Sequence, residues 1–595
     1  MISTLLAFAL LAPQSAEDAR LHPAGADLFL AFEDVPGALA AYEDLPWTRF
    51  LREPAVQEAL TSLEVDPALT AGPTAWIGAA VPELTPWLPD LTACSLSVSR
   101  AGAEESYPGL FAVLDLTGPE RAEELVEALV ACVEEPIGLT GALEGARALH
   151  LEGMAFPLWV ARRGPRVLIG GGAVSPNDAA ALLEGDGHGL DGDPLVRAAL
   201  ERFGTLAEAD PTEGRPASTP ILFLSQREHA FELLSDLDES AGLFAARLSE
   251  LAYPFPSALD PLEGARVTRV TFEDGSFRNE TYVPETDDEP VLSIAQQQLT
   301  RVAPGAFLTF VTTSLDGPGI AQLLSGVLAD MGGEDARAQM GPLEEALGAL
   351  GPRVSLSVFP LAGLSAPKVL GWVQADDAEQ LAERLERALV EVGASFDGLE
   401  TRTRNYSVRH KASGEVRTFP LTTIALPSGW WDVLPFVSAS PSFTVAGDEL
   451  LFSLQPTHLK RELKRLYGGR DDGAPGPFAA AGLAVPEDAS TVTLIDWSAQ
   501  LTSLLDLAGL VQMFASEWLP LDLDALPDFE DGARSVTPTL FVTRSDGGAR
   551  TTVSRSPVGP EGWWAFAWAW NRLDDVSAIF TPDEEEYVSD GPPAD

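Results

Sequence analysis

The hydrophobic positions of this chain form short strand-like runs separated by helix-like stretches, and the whole series occurs twice. Mostly apolar runs of five to seven residues, such as 26–32 and 304–310, are typical of β-strands. Further matching runs keep the same order at offsets of about 258 to 285 residues: 95–99 with 355–359, 110–115 with 369–374, 158–169 with 443–452, 220–224 with 492–496, and 264–275 with 532–547. Chance similarity would not preserve this order.

Two predicted helices occupy equivalent places in the series. Residues 119–133 and 377–390 both begin with acidic residues, which suit the positive end of the helix dipole. Their apolar residues fall on one helical face each: Leu125, Leu129 and Val133 in the first, and Leu381, Leu385 and Leu389 in the second. Both segments are therefore predicted amphipathic helices that cover a sheet.

The repeated pattern predicts an α+β protein with two tandem diverged copies of one domain. The predicted copies span 24–290 and 298–575, joined near 286–290, and an acidic tail at 582–595 is expected to be disordered. Strands joined by hairpins, with Asp-Gly turns at 274–275 and 546–547, favour a mainly antiparallel sheet with helices mainly on one face. Two unrelated α+β domains are the alternative.

The N-terminus predicts export. An apolar run from Leu5 to Ala12 is followed by Pro13 and small residues, which is the layout of a secretory signal peptide. We expect residues 1–16 to be removed by cleavage after Ala16, although a disordered or buried N-terminal segment is the alternative. Elsewhere no apolar run approaches the ~18 residues that span a bilayer, so the mature protein is expected in the periplasm or outside the cell.

The charge balance limits the possible partners. The chain has 89 acidic and 38 basic residues, a formal net charge of −51, and only four of the bases are lysine. A chain with this much negative charge repels phosphate backbones and anionic membranes. We therefore expect no nucleic-acid partner. The acidity suits either capture of cations or a basic partner, or simply a well-solvated surface.

Motifs for catalysis, cofactors and metals are weak. A glycine-rich segment at 170–175 resembles a phosphate loop, but its counterpart at 453–456 has no glycine, so a tight turn is the simpler interpretation. The segment 184–193 resembles a calcium loop but lacks the ordered ligands of an EF-hand, which favours a polar linker. Cys94 and Cys132 are expected to be separate core residues rather than a disulfide. We predict no catalytic residue, cofactor or metal.

Two unusual segments are candidates for binding. Clustered tryptophans can form an aromatic binding surface, although core packing is the commoner role; the candidates are Trp430, Trp431, Trp563 and Trp564. A basic island at 402–417 is predicted to be a hairpin that turns near 412–414. A charge partner for the acidic surface is the simpler interpretation of that island, and a ligand site is the alternative.

The opening of the chain, 22–36 followed by 47–56, resembles a broad family of exported bacterial proteins known only as a domain of unknown function. The resemblance implies an envelope or extracellular setting and supplies no catalytic residues. We therefore predict a non-enzymatic envelope or extracellular binding or scaffold module with a partner in the same compartment. A hydrolase of unrecognised type that acts on an extracellular substrate is the alternative.

Overall fold

The computed structural model shows a protein of antiparallel β-sheet and α-helices, which confirms the predicted α+β class. It forms two compact units: the first comprises 1–293, 485–498 and 515–561, and the second comprises 294–484, 499–514 and 562–595. The residues that the structure describes are 19–32, 34–54, 56–58, 85–100, 107–131, 137–139, 143, 145–150, 156–185, 189–209, 221–226, 265–273, 275–284, 292–314, 341, 345–346, 348–360, 368–375, 377–393, 400–425, 440–469, 476–514, 526–545 and 548–557.

Most strands are short. They are β1 Leu28–Phe32, β2 Leu91–Ser99, β3 Gly109–Leu116, β4 Ile137–Gly138, β5 Arg147–Leu149, β6 Leu158–Arg163, β7 Arg166–Gly171, β8 Ile221–Gln226, β9 Ala265–Glu273, β10 Ser276–Pro284, β11 Leu308–Thr312, β12 Val354–Val358, β13 Val369–Gln374, β14 Glu400–Arg409, β15 Val416–Ala425, β16 Ser442–Val445, β17 Glu449–Ser453, β18 Ala489–Ile495, β19 Thr539–Ser545 and β20 Ala549–Ser556.

The helices connect and cover these strands. They are α1 Val35–Glu43, α2 Pro46–Leu51, α3 Pro119–Ala131, α4 Pro176–Glu184, α5 Pro194–Ala209, α6 Gln296–Arg301, α7 Ala378–Gly393, α8 Pro456–Tyr467, α9 Pro477–Ala480, α10 Trp497–Phe514 and α11 Leu526–Ser535. The predicted helices at 119–133 and 377–390 correspond to α3 and α7.

The same order of seven strands occurs in both units. In the first unit the order across the sheet is β1-β2-β3-β7-β6-β5-β4. In the second unit it is β11-β12-β13-β17-β16-β15-β14. The pairs β6–β7 and β16–β17 are the hairpins predicted at 158–169 and 443–452. Leu28 lies opposite Val98, and Leu308 lies opposite Val358, so the register corresponds as well.

The sheet of the first unit continues past β1 through β8, β9, β10, β20 and β19 to β18. The hairpins β9–β10 and β19–β20 meet through their second strands, with Phe277 opposite Ser556 at one end and Pro284 opposite Ala549 at the other. Gly275 has a φ of +71°, as the predicted turn requires. Residue 274 and the turn at 546–547 lie outside the described residues.

Strands β18–β20 lie in the first unit although the predicted second copy, 298–575, contains their residues. Strands β18–β20 can pair with the sheet of the first unit and still descend from the second copy. The predicted copy boundaries therefore remain a prediction. The predicted signal peptide at 1–16, the joint at 286–290 and the tail at 582–595 all lie outside the described residues.

Helices pack on both faces of the sheet, so the prediction that they lie mainly on one face is wrong. In the first unit Leu114 packs in a cluster with Leu125 of α3, whereas its neighbour Val113 packs with Ala179 of α4. Adjacent strand residues point to opposite faces, so α3 and α4 lie on opposite sides. The cause is visible in the sequence, because β3 and β7 are apolar at nearly every position rather than at alternate ones.

The second unit repeats this two-sided packing. Leu450 of β17 packs with Leu381 of α7, and the next residue, Leu451, packs with Leu459 of α8. The unit therefore has an α7 face and an α8 face. The α8 face carries the candidate site described below.

Candidate functional site

The four tryptophans proposed from the sequence as a binding surface cannot be assigned to one. They are Trp430, Trp431, Trp563 and Trp564, and all of them lie outside the described residues. Cys132 lies outside as well, while Cys94 is buried in the core of the first unit, as predicted. The candidate site described below is therefore formed by other residues.

The glycine-rich segment at 170–175 is a packed turn. A β-carbon on Gly170 would collide with the indole ring of Trp159, and one on Gly172, which has a φ of +60°, would collide with the carbonyl oxygen of Pro108. The N-terminus of α4 is closed by its own side chains, because the Ser175 backbone donates to the Asp178 carboxylate at 3.0 Å. A carboxylate at that place repels phosphate, which supports the tight-turn interpretation.

The calcium-like segment at 184–193 serves as a helix connection. Gly185 ends α4 in a left-handed conformation with a φ of +79°. The Asp193 carboxylate accepts a hydrogen bond from the Leu195 backbone at 2.8 Å and so caps α5. Across the described part of the chain, no group of three or more His, Cys, Asp or Glu side chains is arranged to hold a metal ion.

His22 is the one described histidine that is held by hydroxyl groups on both sides. Its Nδ1 and Nε2 atoms lie 2.7 Å from the hydroxyls of Ser97 and Ser95. The ring is completely buried, and burial lowers the pKa of His22 to about 3. Because solvent cannot reach it, this Ser-His-Ser arrangement anchors the N-terminal segment in the core and is not a hydrolytic site.

A cluster of cationic side chains on the α8 face of the second unit is the strongest candidate site. Helix α8 carries four Lys or Arg residues and one glutamate, Glu462. The β14–β15 hairpin forms as predicted for the basic island and turns through 410–415. We define the basic face by five cations from these elements and from the start of β13: Lys368, Arg404, Lys460, Arg461 and Lys464.

The elements of the basic face are fixed by aromatic contacts. The Lys460 ammonium lies 5.8 Å from the ring centre of Tyr406, and the guanidinium of Arg417 lies 5.7 Å from that of Tyr467. The Tyr467 ring also packs against Phe419 at 5.0 Å. Because residues of one parity on β14 share a side of the sheet, Arg404 lies on the same side as Tyr406.

The buried acids beneath this face are already neutralised. Arg465 holds both carboxylate oxygens of Glu462 at 3.0 Å, and Arg301 of α6 holds Glu449 at 2.7 Å. In contrast, none of the five basic-face cations has a carboxylate oxygen within 4.0 Å among the residues that the structure describes. The face therefore has excess positive charge in a protein whose overall charge is strongly negative.

The cations influence the ionisation of their neighbours. Burial lowers the pKa of Lys368; Glu462 opposes this shift, whereas Arg461 and Arg465 add to it. The pKa of His458 is lowered by burial and then by the positive charges of Lys368 and Arg461. An anion bound at this end of α8 would relieve this repulsion.

Helix α4, which occupies the equivalent place after β7 in the first unit, provides an internal comparison. It contains no lysine or arginine and carries two acids, Asp178 and Glu184. The connection between strand and helix therefore does not require a basic helix. Of these two helices, only α8 carries basic residues.

The placement of the lysines in the sequence is a signal for this site. All four lysines of the chain, Lys368, Lys411, Lys460 and Lys464, belong to these elements of the second unit. The backbone amide of Lys411 donates to the carbonyl of Gly468 at 2.9 Å, which connects the hairpin turn to the end of α8. The predicted island at 402–417 was one part of a larger basic surface.

Comparisons with known proteins assign no family to the chain. No protein-family model matches it, and no curated protein matches it. A solved structure described as "Structure of crystal form I of TP0453" aligns over 46% of this chain and 81% of its own, at 12% identity and a TM-score of 0.22. That score is too low to show a common fold. Within the described residues, no helix has the length and apolar character needed to cross a membrane.

Proposed function

We propose that this protein is an exported, non-enzymatic binding module that holds an anionic partner on the basic face of its second unit. The observation that carries the proposal is the set of five cations without a carboxylate partner among the described residues. Acids outnumber bases by 89 to 38 in this chain, so a cluster of unneutralised cations is unexpected from composition alone. A ligand with repeated negative charges fits such a cluster.

The acidic residues in the rest of the protein would make this binding more specific to the basic face. A polyanion is repelled from most of the surface and attracted to one side of one unit, which confines it to a single place. Between exposed charges the attraction is screened over about 10 Å at 0.1 M salt. Binding should therefore weaken steeply as salt is added.

The proposal includes two diverged copies of one domain. The shared order of seven strands supports it, as does the corresponding register of β1 with β2 and of β11 with β12. On this interpretation one copy kept an acidic helix, α4, and the other acquired a basic helix, α8. Duplication followed by a change in charge is a simple route to a new binding surface.

Export is supported by the signal-like sequence at 1–16 and by the burial of residues that follow it. Ala19 and Leu21 are buried, and His22 is anchored between two serines. Cleavage after Ala16 would leave all of these residues in the mature protein. An envelope or extracellular location would bring the basic face to the anionic polymers of that compartment.

Binding of fluorescein-labelled poly-L-glutamate, followed by anisotropy at 50 and 200 mM NaCl, tests the proposal. Charge reversal of three α8 cations of the basic face, K460E/R461E/K464E, should weaken binding at least about tenfold. The matched control R162E/R163E/R197E makes the same change in net charge on exposed arginines of the first unit and should alter affinity by less than about twofold.

Two results would contradict the proposal. One is the absence of salt-sensitive binding by the wild-type protein. The other is an equal loss of affinity in both triple variants, which would show a non-specific effect of net charge. Circular dichroism and denaturation of each variant exclude unfolding as the cause of a loss.

A further inference from the structure

The outer strand of the second unit, β14, has an edge that can accept another strand. It pairs with β15 along all ten residues, from Glu400 opposite Ala425 to Arg409 opposite Val416. It ends the strand order of its unit, and no second neighbour pairs with it among the described strands. Its outward edge therefore presents backbone donors and acceptors.

The hairpin register fixes which backbone groups point outward. The amide of His410 donates to the carbonyl of Glu415 at 2.7 Å, so even-numbered residues of β14 exchange hydrogen bonds with β15. The amide of Ile424, which lies opposite Thr401, instead donates to Pro441 on the far side of β15. Odd-numbered residues of β14 consequently direct their amides and carbonyls away from β15, toward the open edge.

The solvent exposure of the β14 residues agrees with an open edge on this strand. The four consecutive residues 402–405 and Ser407 are all exposed, whereas the inner strand β13 is buried at Leu370 through Val373. The first unit protects the corresponding edge in a different way, because its outer strand β4 has only two residues, Ile137 and Gly138. Short edge strands limit unwanted pairing, so the ten-residue edge of β14 is a specific departure from that protection.

The charges of β14 indicate what kind of strand it accepts. Arg402 and Arg404 project on the α8 side, and Arg409 projects on the other. The single acid of the strand, Glu400, also lies on the α8 side and pairs with Arg402 at 2.6 Å, so Arg404 is the cation of that side without a carboxylate partner among the described residues. The proposed anionic partner would thus meet cations on both sides of the added strand. A second copy of β14 would instead bring like charges together, which disfavours self-association through this edge.

We propose that β14 binds an extended acidic segment of a partner protein by β-strand addition, with carboxylates at alternate positions facing Arg402 and Arg404. This inference rests on the proposed function and adds the partner class and the mode of binding. Backbone hydrogen bonds to the odd-numbered residues supply affinity, and the alternate carboxylates supply specificity. Lys460, above Tyr406 on the same side, extends the positive surface beside the added strand.

Three labelled ten-residue peptides of alternating threonine and glutamate test the inference with the full-length protein. One is unmodified, one is N-methylated at every threonine, and one is N-methylated at every glutamate. All three have the same charge, but each methylated peptide loses the amide donors on one edge. Strand addition predicts that one methylated peptide binds about tenfold or more weakly than the unmodified one, and that the other changes by less than about threefold.

A protein variant tests the same edge from the other side. Asn405→Pro removes an outward amide of β14 and should weaken the unmodified peptide by about tenfold, while hairpin pairing with β15 is retained. Asn405→Ala keeps the amide and is the matched control. Folding is checked by circular dichroism, and the peptide series remains decisive if the proline variant does not fold.

The outcomes separate this inference from the proposed function. Equal binding of all three peptides, with poly-L-glutamate binding retained, would overturn strand addition alone. Failure of both poly-L-glutamate and the peptides to bind would overturn both. A dimer in light scattering that Asn405→Pro abolishes would show that the edge serves a second copy of this chain, which also overturns the inference.

Discussion

The Nδ1 atom of His22 lies 2.7 Å from the hydroxyl oxygen of Ser97, in a part of the core that no solvent reaches. The other ring nitrogen contacts Ser95, and the ring packs against Phe29 and Phe111 with centroids 4.9 and 5.2 Å away. A neutral imidazole has one donor and one acceptor, which these two hydroxyls satisfy. The segment before β1 is therefore fastened to β2 by a histidine that must stay uncharged.

The neutrality of His22 predicts a specific dependence of stability on pH. Burial lowers its pKa to about 3 in the folded protein, whereas the unfolded chain has a pKa of about 6.5. Below pH 6.5 the unfolded state binds a proton that the folded state does not, so stability is lost as the pH falls from 6.5 toward 3. Between pH 7.5 and 5.5 this one residue should lower the free energy of unfolding by about 1.4 kcal/mol.

His22→Asn removes that contribution and keeps polar atoms near both serines. The variant should be less stable at pH 7.5, but its loss between pH 7.5 and 5.5 should be smaller than that of the wild type by about 1.4 kcal/mol. Urea denaturation at both pH values measures the difference. Identical pH dependence in the two proteins would show that His22 is not held neutral.

Glu280 predicts a large effect in the strand pair β10–β20. It lies opposite Val553, and its side chain is only 3% exposed. Arg269 donates to it from Nε at 2.8 Å, and Arg278 donates at 2.9 Å. Glu280→Ala would leave two largely buried guanidinium groups without this carboxylate and should cost about 3–5 kcal/mol.

Glu280→Gln is the control, because it keeps the shape and one acceptor while removing the charge. Its cost should be clearly smaller than that of the alanine variant in urea denaturation. If Glu280→Ala costs less than about 1 kcal/mol, water compensates the two arginines, and this ion cluster does not stabilise the strand pair.

Gly371 predicts a steric effect in the second unit. It lies opposite Phe452 in the β13–β17 pair, and a β-carbon there would collide with the phenyl ring. The first unit uses the same device, with Trp159 opposite Gly170 in β6–β7. Gly371→Ala should cost about 1–3 kcal/mol, and Phe452→Leu should recover part of that cost in the double variant. Additive costs in this double-mutant cycle would contradict the collision.

The sequence predicted which segments form strands better than it predicted which faces of the sheet the helices cover. The sequence pattern made Ala306 of the second series the counterpart of Leu28 in the first. In the structure Leu28 lies opposite Val98 and Leu308 lies opposite Val358, so the counterpart of Leu28 is Leu308. This two-residue error keeps the inward face, so hydrophobic periodicity cannot detect it. The second layer of helices was missed because a hairpin pattern suggested a half-solvated sheet, although β3 is apolar at nearly every position.

The basic face could not be predicted from the sequence because its residues are distant along the chain. Arg404 and Lys464 are sixty positions apart and become parts of one surface only because α8 crosses β14 and β15. The charges were visible in the sequence, but the pairing that neutralises Glu449 with Arg301 was not, because it joins residues 148 positions apart. Which cations remain without a partner depends on such tertiary contacts.

The pair formed by Arg301 and Glu449 supplies the last prediction. Glu449 lies opposite Gln374 and is only 3% exposed, and Arg166, opposite Asp115, occupies the corresponding place in the first unit. Arg301→Met would leave Glu449 buried without its arginine and should cost about 3–5 kcal/mol.

Adding Glu449→Val to Arg301→Met should restore most of the stability, to within about 1 kcal/mol of the wild type, because two apolar residues need no desolvated charge. The same valine substitution in the wild type should destabilise, since it leaves Arg301 with no carboxylate at 2.7 Å. A sign change of Glu449→Val between the two backgrounds, measured by urea denaturation, is the expected result. Loss of stability in both backgrounds would show that Glu449 stabilises the fold through contacts other than Arg301.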